Sequence, residues 1–280
     1  MKKLIRIVSV ITLTSGLLNA GCAQQSTQKE RDEMDRRKLS QQVDDEVMVG
    51  RQIAARLLGH FGAYESSPQA LAYVNLVGQV IASQSGRPEL QFRFGILNVD
   101  AINAYACPGG FIFVTKGLLK TVKSEAELAA ALAHEVAHVN EKHMYNEIAP
   151  EKEMTSSETL VRLMSRGKSD IGGNLATMVD GGMKMLLEKG LGPEREQAGD
   201  RAGVLYAAAA GYDPLALRDL VKRMEGEAHT PNIGKTHPPF GERIAQLDKF
   251  IADNGFSKST KAGSAVLNKR FNEALRSGKL

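Results

Sequence analysis

The sequence predicts an α+β fold, mainly helical with a small antiparallel β-sheet. Three observations carry this: apolar residues recur at helical spacing in several segments, two short runs concentrate strand-favouring residues, and Gly and Pro cluster between them. With 280 residues, 42% of them hydrophobic, the chain can bury one sizeable core with terminal segments appended.

Met1-Lys2-Lys3 gives a charged start, and Ile5 to Leu18 is apolar but too short to span a bilayer comfortably, so residues 1–22 read as an export signal outside the fold. Its end, Leu17-Leu18-Asn19-Ala20-Gly21-Cys22, resembles the lipobox of bacterial lipoproteins, in which Cys22 becomes the acylated mature N-terminus. Asn19 stands where an apolar residue is usual, which leaves ordinary cleavage near Ala20 or Ala23 open. With Cys22 acylated, Ala23 rather than Asp beside it points to the outer membrane; without acylation the product is soluble in the periplasm or secreted. Residues 23–42 are polar and charged, as a solvated tether would be.

One domain is expected over 43–253. Val47, Ile53, Ala54, Leu57 and Leu58 predict a helix over Asp44 to Phe61, and Leu71, Val74, Val77 and Ile81 a second over Pro68 to Ser83. Leu90 to Leu97 and Phe111 to Thr115 read as strands joined through the turn-rich Cys107-Pro108-Gly109-Gly110. The connection is too short for a crossover helix, so the two strands are expected to pair antiparallel. Ser124 to His143 is the clearest helix, opened by a capping-box pattern of Ser124 and Glu127 and free of Gly and Pro. Asn146 to Gly192, with five of the ten methionines and Gly-Gly pairs at Gly172 and Gly181, reads as helical but poorly fixed. Pro193 opens a helix through Ala210, Asp213-Pro214 caps and starts the next, and a last core helix runs from Pro239 to about Ile251. Residues 254–280 read as a polar, basic tail.

A formal charge of +4, spread over both ends, together with 5% aromatics and no Trp, argues against a nucleic-acid partner. The chemistry lies elsewhere. His134-Glu135-Val136-Ala137-His138 is an HExxH motif on the clearest helix, where residues four apart share a face and both imidazoles reach one metal. Glu135, beside the first ligand, is placed to act as general base without ligating. A hydrolytic zinc site needs a third protein ligand and an open fourth position. Among the downstream carboxylates Glu196 is chosen, because it opens a helix and shares a face with Asp200, which can hold an imidazole N–H. From spacing alone, a solvated acidic first turn explains that pair equally well.

Asn103-Ala104-Tyr105-Ala106-Cys107-Pro108-Gly109-Gly110 leading into FVTKGLL, then HExxH, then Glu196-Gln-Ala-Gly-Asp200, then Thr236-His237-Pro238-Pro239 with Arg243, resembles in order and spacing the zinc metallopeptidase family of the CAAX prenyl protease and the HtpX heat-shock protease, most of all its soluble periplasmic branch. The likeness covers about Asp44 to Phe250 and implies a zincin-like domain holding one zinc ion, with His134, His138 and Glu196 as ligands and Asp200 behind them. It also implies a loop that carries His237 over the metal, either to donate to the developing oxyanion, the favoured role, or to block the open zinc position; a plain turn residue before two prolines is the remaining reading. Asn103, Ala104, Gly109 and Gly110 are expected along the substrate path, the glycines admitting a close substrate backbone beside an edge strand. Gly199, where the family usually has Ala, and Cys107, where it has an apolar or hydroxylated residue, depart from the pattern.

His60, His143 and His229 are expected at the surface, and Cys107 as a small loop residue rather than an inhibitory thiolate. The function expected is endopeptidase action on unfolded or misassembled envelope proteins, with the membrane met only through Cys22. A chaperone-like binding module using the Met154 to Met185 region is the alternative, and an intact Glu135 counts against it.

Overall fold

The computed structural model describes residues 2–149, 169–227, 236–257 and 264–276, with side chains described from residue 29 onward except at 169–174 and 264. Two units result, Met1–Asp45 and Glu46–Leu280. Helix α1 spans Lys2–Phe61. Its residues 29–42 are exposed, as a tether would be, but they are helical rather than coiled. No Gly or Pro interrupts 23–49, and Asp32/Arg36 and Glu33/Arg37 stand four apart, a spacing that supports an isolated helix. The side chain of Cys22, and with it the lipidation expectation, lies outside the described residues. Among the described residues no helix is long and apolar enough to cross a membrane.

The second unit begins with the end of α1, where Val49, Ile53, Ala54 and Leu57 are buried at helical spacing. Helix α2, Pro68–Ala82, is capped by the Ser67 hydroxyl accepting from the Ala70 N–H at 3.2 Å, with Pro at its first position. The sheet has three strands, β1 Arg93–Leu97, β2 Ala104–Cys107 and β3 Phe111–Thr115, in the order β1-β3-β2. β2 and β3 pair antiparallel through a tight 3₁₀ turn at Pro108–Gly110. β1 and β3 pair parallel, which corrects the antiparallel pairing expected for them. No crossover helix is needed because the connection itself contains β2: two reversals restore the chain direction, and β3 inserts between the other strands. Ala-Tyr-Ala-Cys is too short and too poor in β-branched residues to announce itself as a strand.

Helix α3, Lys116–Thr121, leads to α4, Glu125–Asn140. The Ser124 hydroxyl accepts from the Glu127 N–H at 3.2 Å, while the Glu127 carboxylate reaches back to the N–H of Lys123 at 2.7 Å. α4 is buried nearly all round, and its alanines let neighbours approach closely. It ends three residues earlier than expected, because Lys142 adopts the left-handed conformation and α5, His143–Ile148, sets off in a new direction. Residues 150–168, with Met154 and Met164, lie outside the described residues, as does His229. Beyond them come α6 Ser169–Lys184, a π-helical turn Met185–Lys189, α7 Pro193–Ala209, α8 Ala216–Glu225 and α9 Phe240–Asp253. α8 starts two residues later than expected, with Asp213 accepting from the Leu215 N–H at 3.0 Å.

The supposed polar tail contains a further helix, α10, Ser264–Leu275. Phe271 and Leu275 are each 1% exposed, and the Arg270 guanidinium binds the buried Glu125 carboxylate at the start of α4. Leu267, Phe271 and Leu275 form a one-residue-wide stripe on an otherwise polar helix, so average composition conceals it.

Candidate metal centre

α4 carries His134 and His138 one turn apart, with their Nε2 atoms 2.9 Å from each other. α7 crosses α4 and brings Glu196 from its first turn, Oε2 lying 3.5 Å from His134 Nε2 and Oε1 3.6 Å from His138 Nε2. Two glycines permit the crossing. A Cβ on Gly203 would lie 3.0 Å from the His134 backbone nitrogen, and one on Gly199 would lie 2.8 Å from His138 Cε1. Gly199 therefore gives up helix propensity for room beside the imidazoles.

The three donor atoms lie within 4.8 Å of one another, and all three residues are buried. Ligands about 2.1 Å from a tetrahedral zinc stand about 3.4 Å apart, close to the separations found. Glu196 Oε2 is buried without a hydrogen bond, although imidazole nitrogens stand 3.3 and 3.5 Å away. Burial alone would raise the Glu196 carboxyl, but the imidazoles of His237, His138 and His134 hold it well below the usual carboxylate range. Two imidazoles and an ionised carboxylate with an unused lone pair fit a zinc ion.

Behind His134, Asp200 Oδ1 lies 2.9 Å from Nδ1, within bonding distance though off the N–H axis. Asp200 is held in turn by both arms of Arg243, from Nε at 3.0 Å and Nη2 at 2.6 Å. Burial works against a charged His134, yet Asp200 and Glu196 raise its pKa to about 10 in the metal-free protein. Glu135, 6% exposed, is pushed up to about 7, first by burial.

Glu135 faces a cleft. On one side lies a solvent-open pocket among Leu118, Leu220, Val221 and Arg243, and on the other a second one among Tyr105, Met185, Leu191 and His138. Asn103, Ala104, Glu135 and His237 border both. Among the described residues β2 is paired on one side only, and the Ala104 N–H is covered by Asn103 Oδ1 at 2.9 Å. His237 points Nε2 at Glu196 Oε2, 3.3 Å away, while its Nδ1 meets the Thr236 hydroxyl at 2.9 Å. Burial lowers its pKa to about 4. Gly190, at φ +69°, lies so close to the Thr236 carbonyl that a Cβ would be 1.9 Å from it, so the π-helical turn abuts the His237 loop.

Gly109 and Gly110, expected along the substrate path, are not among the residues that line the cleft on either side of Glu135. Both are buried with positive φ, and Cβ atoms there would meet the backbones of Val47 and of Gln91 and Phe92. Their freedom serves the β2–β3 turn and its packing. Cys107 is 1% exposed at the end of β2, and burial pushes its thiol far up, which makes a thiolate at the metal unfavourable. His60 is exposed as expected. His143 is not at the surface but half-buried against His138, with the two Nδ1 atoms 2.8 Å apart. The sequence carried no signal for this, since the reversal that returns it occurs at a lysine.

Residues 68–251, well over half of the chain, match the model of Peptidase family M48. Over 195 residues the chain is 28% identical to the mitochondrial metalloendopeptidase OMA1 of Schizosaccharomyces pombe, covering 67% of this chain and 55% of that protein. Over 213 residues it is 24% identical to the beta-barrel assembly-enhancing protease of Escherichia coli (strain K12), covering 72% and 43%. The chain spans about half the length of these curated relatives.

Proposed function

This chain belongs to peptidase family M48, and from that premise we propose that it is a zinc-dependent endopeptidase of the bacterial cell envelope, acting on unfolded or misassembled proteins. One observation carries the reading: His134, His138 and Glu196 converge beside a buried Glu135 at the floor of a cleft bordered by β2, the end strand of the sheet among the described residues. When bound, zinc polarises the scissile carbonyl and acidifies water.

The protein's own groups do the rest. Asp200, fixed by Arg243, keeps the His134 proton on Nδ1 and leaves Nε2 free to ligate. Glu135 takes the proton of the attacking water on its carboxylate and delivers it to the leaving nitrogen. His237, aimed into the centre, donates from Nε2 to the oxyanion on the scissile carbonyl. The edge of β2 binds an extended main chain by backbone hydrogen bonds, which gives affinity with little side-chain selectivity. Folded proteins cannot offer such a segment. The envelope placement rests on the N-terminal signal with its lipobox-like end and on a bacterial relative named for enhancing beta-barrel assembly.

The test is incubation with unfolded casein and with a stably folded protein. The expected result is cleavage of casein alone, at many sites, abolished by a chelator and restored by zinc. Cleavage untouched by chelation, or confined to one sharp recognition sequence, contradicts the proposal.

A further inference from the structure

His143 touches the centre without a part in the chemistry above. Its Nδ1 lies 2.8 Å from His138 Nδ1, and the two rings meet edge to face with centroids 5.1 Å apart. On an uninterrupted α4 a residue nine positions after His134 would point elsewhere. The chain brings it back by ending α4 at Asn140 and placing Lys142 at φ +52°, the one non-glycine residue with positive φ among the described residues. Gly or Asn adopts that conformation more readily, and a side chain held there persists only where its surroundings over-determine it.

Here they do. Lys142 Nζ lies 3.7 Å from Oε2 of Glu46, a fully buried carboxylate that also accepts from Arg87 Nη2 at 2.9 Å and from the Gly109 N–H at 3.0 Å. Arg87 Nη1 in turn donates to the Val139 carbonyl, in the last turn of α4, at 3.4 Å. On the other side of the turn, Met144 is 4% exposed within the core. The reversal is anchored at both ends, with His143 between the anchors.

We infer that His143 is a positioning residue that fixes His138 in the tautomer able to bind the metal, an inference that rests on reading His138 as a ligand. His138 Nε2 faces His134 and Glu196, so ligation from that atom requires the ring proton on Nδ1. Nδ1–H then donates to the lone pair of His143 Nδ1, and the proton of His143 sits on its Nε2. The two ligands are thus supported differently, His134 by an anion and His138 by a neutral imidazole. Loss of such an outer partner weakens metal binding by about 10–100-fold.

The experiment compares His143→Asn and His143→Leu in the full chain, reading zinc affinity by competition with a chromophoric chelator and the melting temperature of the zinc-free protein. Asn places Oδ1 where the imidazole Nδ1 stood and still accepts, whereas Leu fills space and accepts nothing. Zinc affinity should stay within about threefold of wild type for Asn and fall about 10–100-fold for Leu. If Leu unfolds the zinc-free protein, His143→Phe, a ring without an acceptor, replaces it. Less than a fivefold separation between Asn and the apolar variant overturns the inference. His138→Ala should lose zinc altogether, and if it kept wild-type affinity the metal-centre reading would fall with it.

Discussion

His134 and Glu196 differ in their surroundings: one has Asp200 and Arg243 behind it, the other keeps a buried oxygen without a hydrogen bond. His237 completes the ring at 3.3 Å from that oxygen. The proposed oxyanion donation operates only when substrate is present, so His237→Ala should bind zinc as wild type does and cleave casein about a hundredfold more slowly. A rise in activity would make it a blocking group instead, and activity within twofold of wild type would leave it a turn residue. The two histidines of the motif were legible because helical spacing is local, whereas spacing alone left Glu196 and Asp200 equally readable as an acidic first turn, and only the family resemblance favoured them. The grip of Arg243 on Asp200 spans 43 residues and depends on how α9 packs. His143 was illegible because the turn that delivers it is made by Lys142, a residue type that gives no turn signal.

At the scale of elements, sequence and structure part most at α10, the helix in the expected polar tail, which seats Arg270 on the start of α4. Glu125 is fully buried and accepts from the hydroxyls of Tyr73 at 2.6 Å and Tyr212 at 2.8 Å, as well as from Arg270 of α10. Burial pushes its carboxyl up, but Arg270 and the two tyrosines outweigh this and hold it below its ordinary value of 4.5. A carboxyl lowered in the folded state stabilises the protein above its unfolded pKa, and that contribution is lost as the pH falls below about 4.5 and through the folded value. Arg270→Ala should therefore cost about 1–2 kcal/mol at neutral pH, at the lower end for charged hydrogen bonds because the guanidinium is 40% exposed. It should also shrink the drop in melting temperature between pH 6 and pH 3. An unchanged melting temperature at neutral pH would mean that α10 is not seated as described. Helices with broad apolar faces, such as α2, could be read from spacing, whereas the narrow stripe of α10 could not. The parallel pairing of β1 and β3 was hidden because it depends on β2, whose four residues carry little strand signal.

For the whole molecule, location and catalysis are separable claims. If Cys22 is acylated, Cys22→Ala should move the protein from the membrane fraction to the soluble periplasm without altering cleavage of casein. Soluble fractionation of the unaltered protein would instead favour plain secretion. The proposed chemistry depends on Glu135, which is buried beside the donors yet outside their cluster. Its amide variant fits the same space and cannot accept a proton. The most direct measurement is the zinc content and casein cleavage of Glu135→Gln alongside Glu196→Gln. The first should hold one zinc per chain and lose proteolysis, and the second should lose the zinc itself. Full proteolysis by Glu135→Gln would contradict the account.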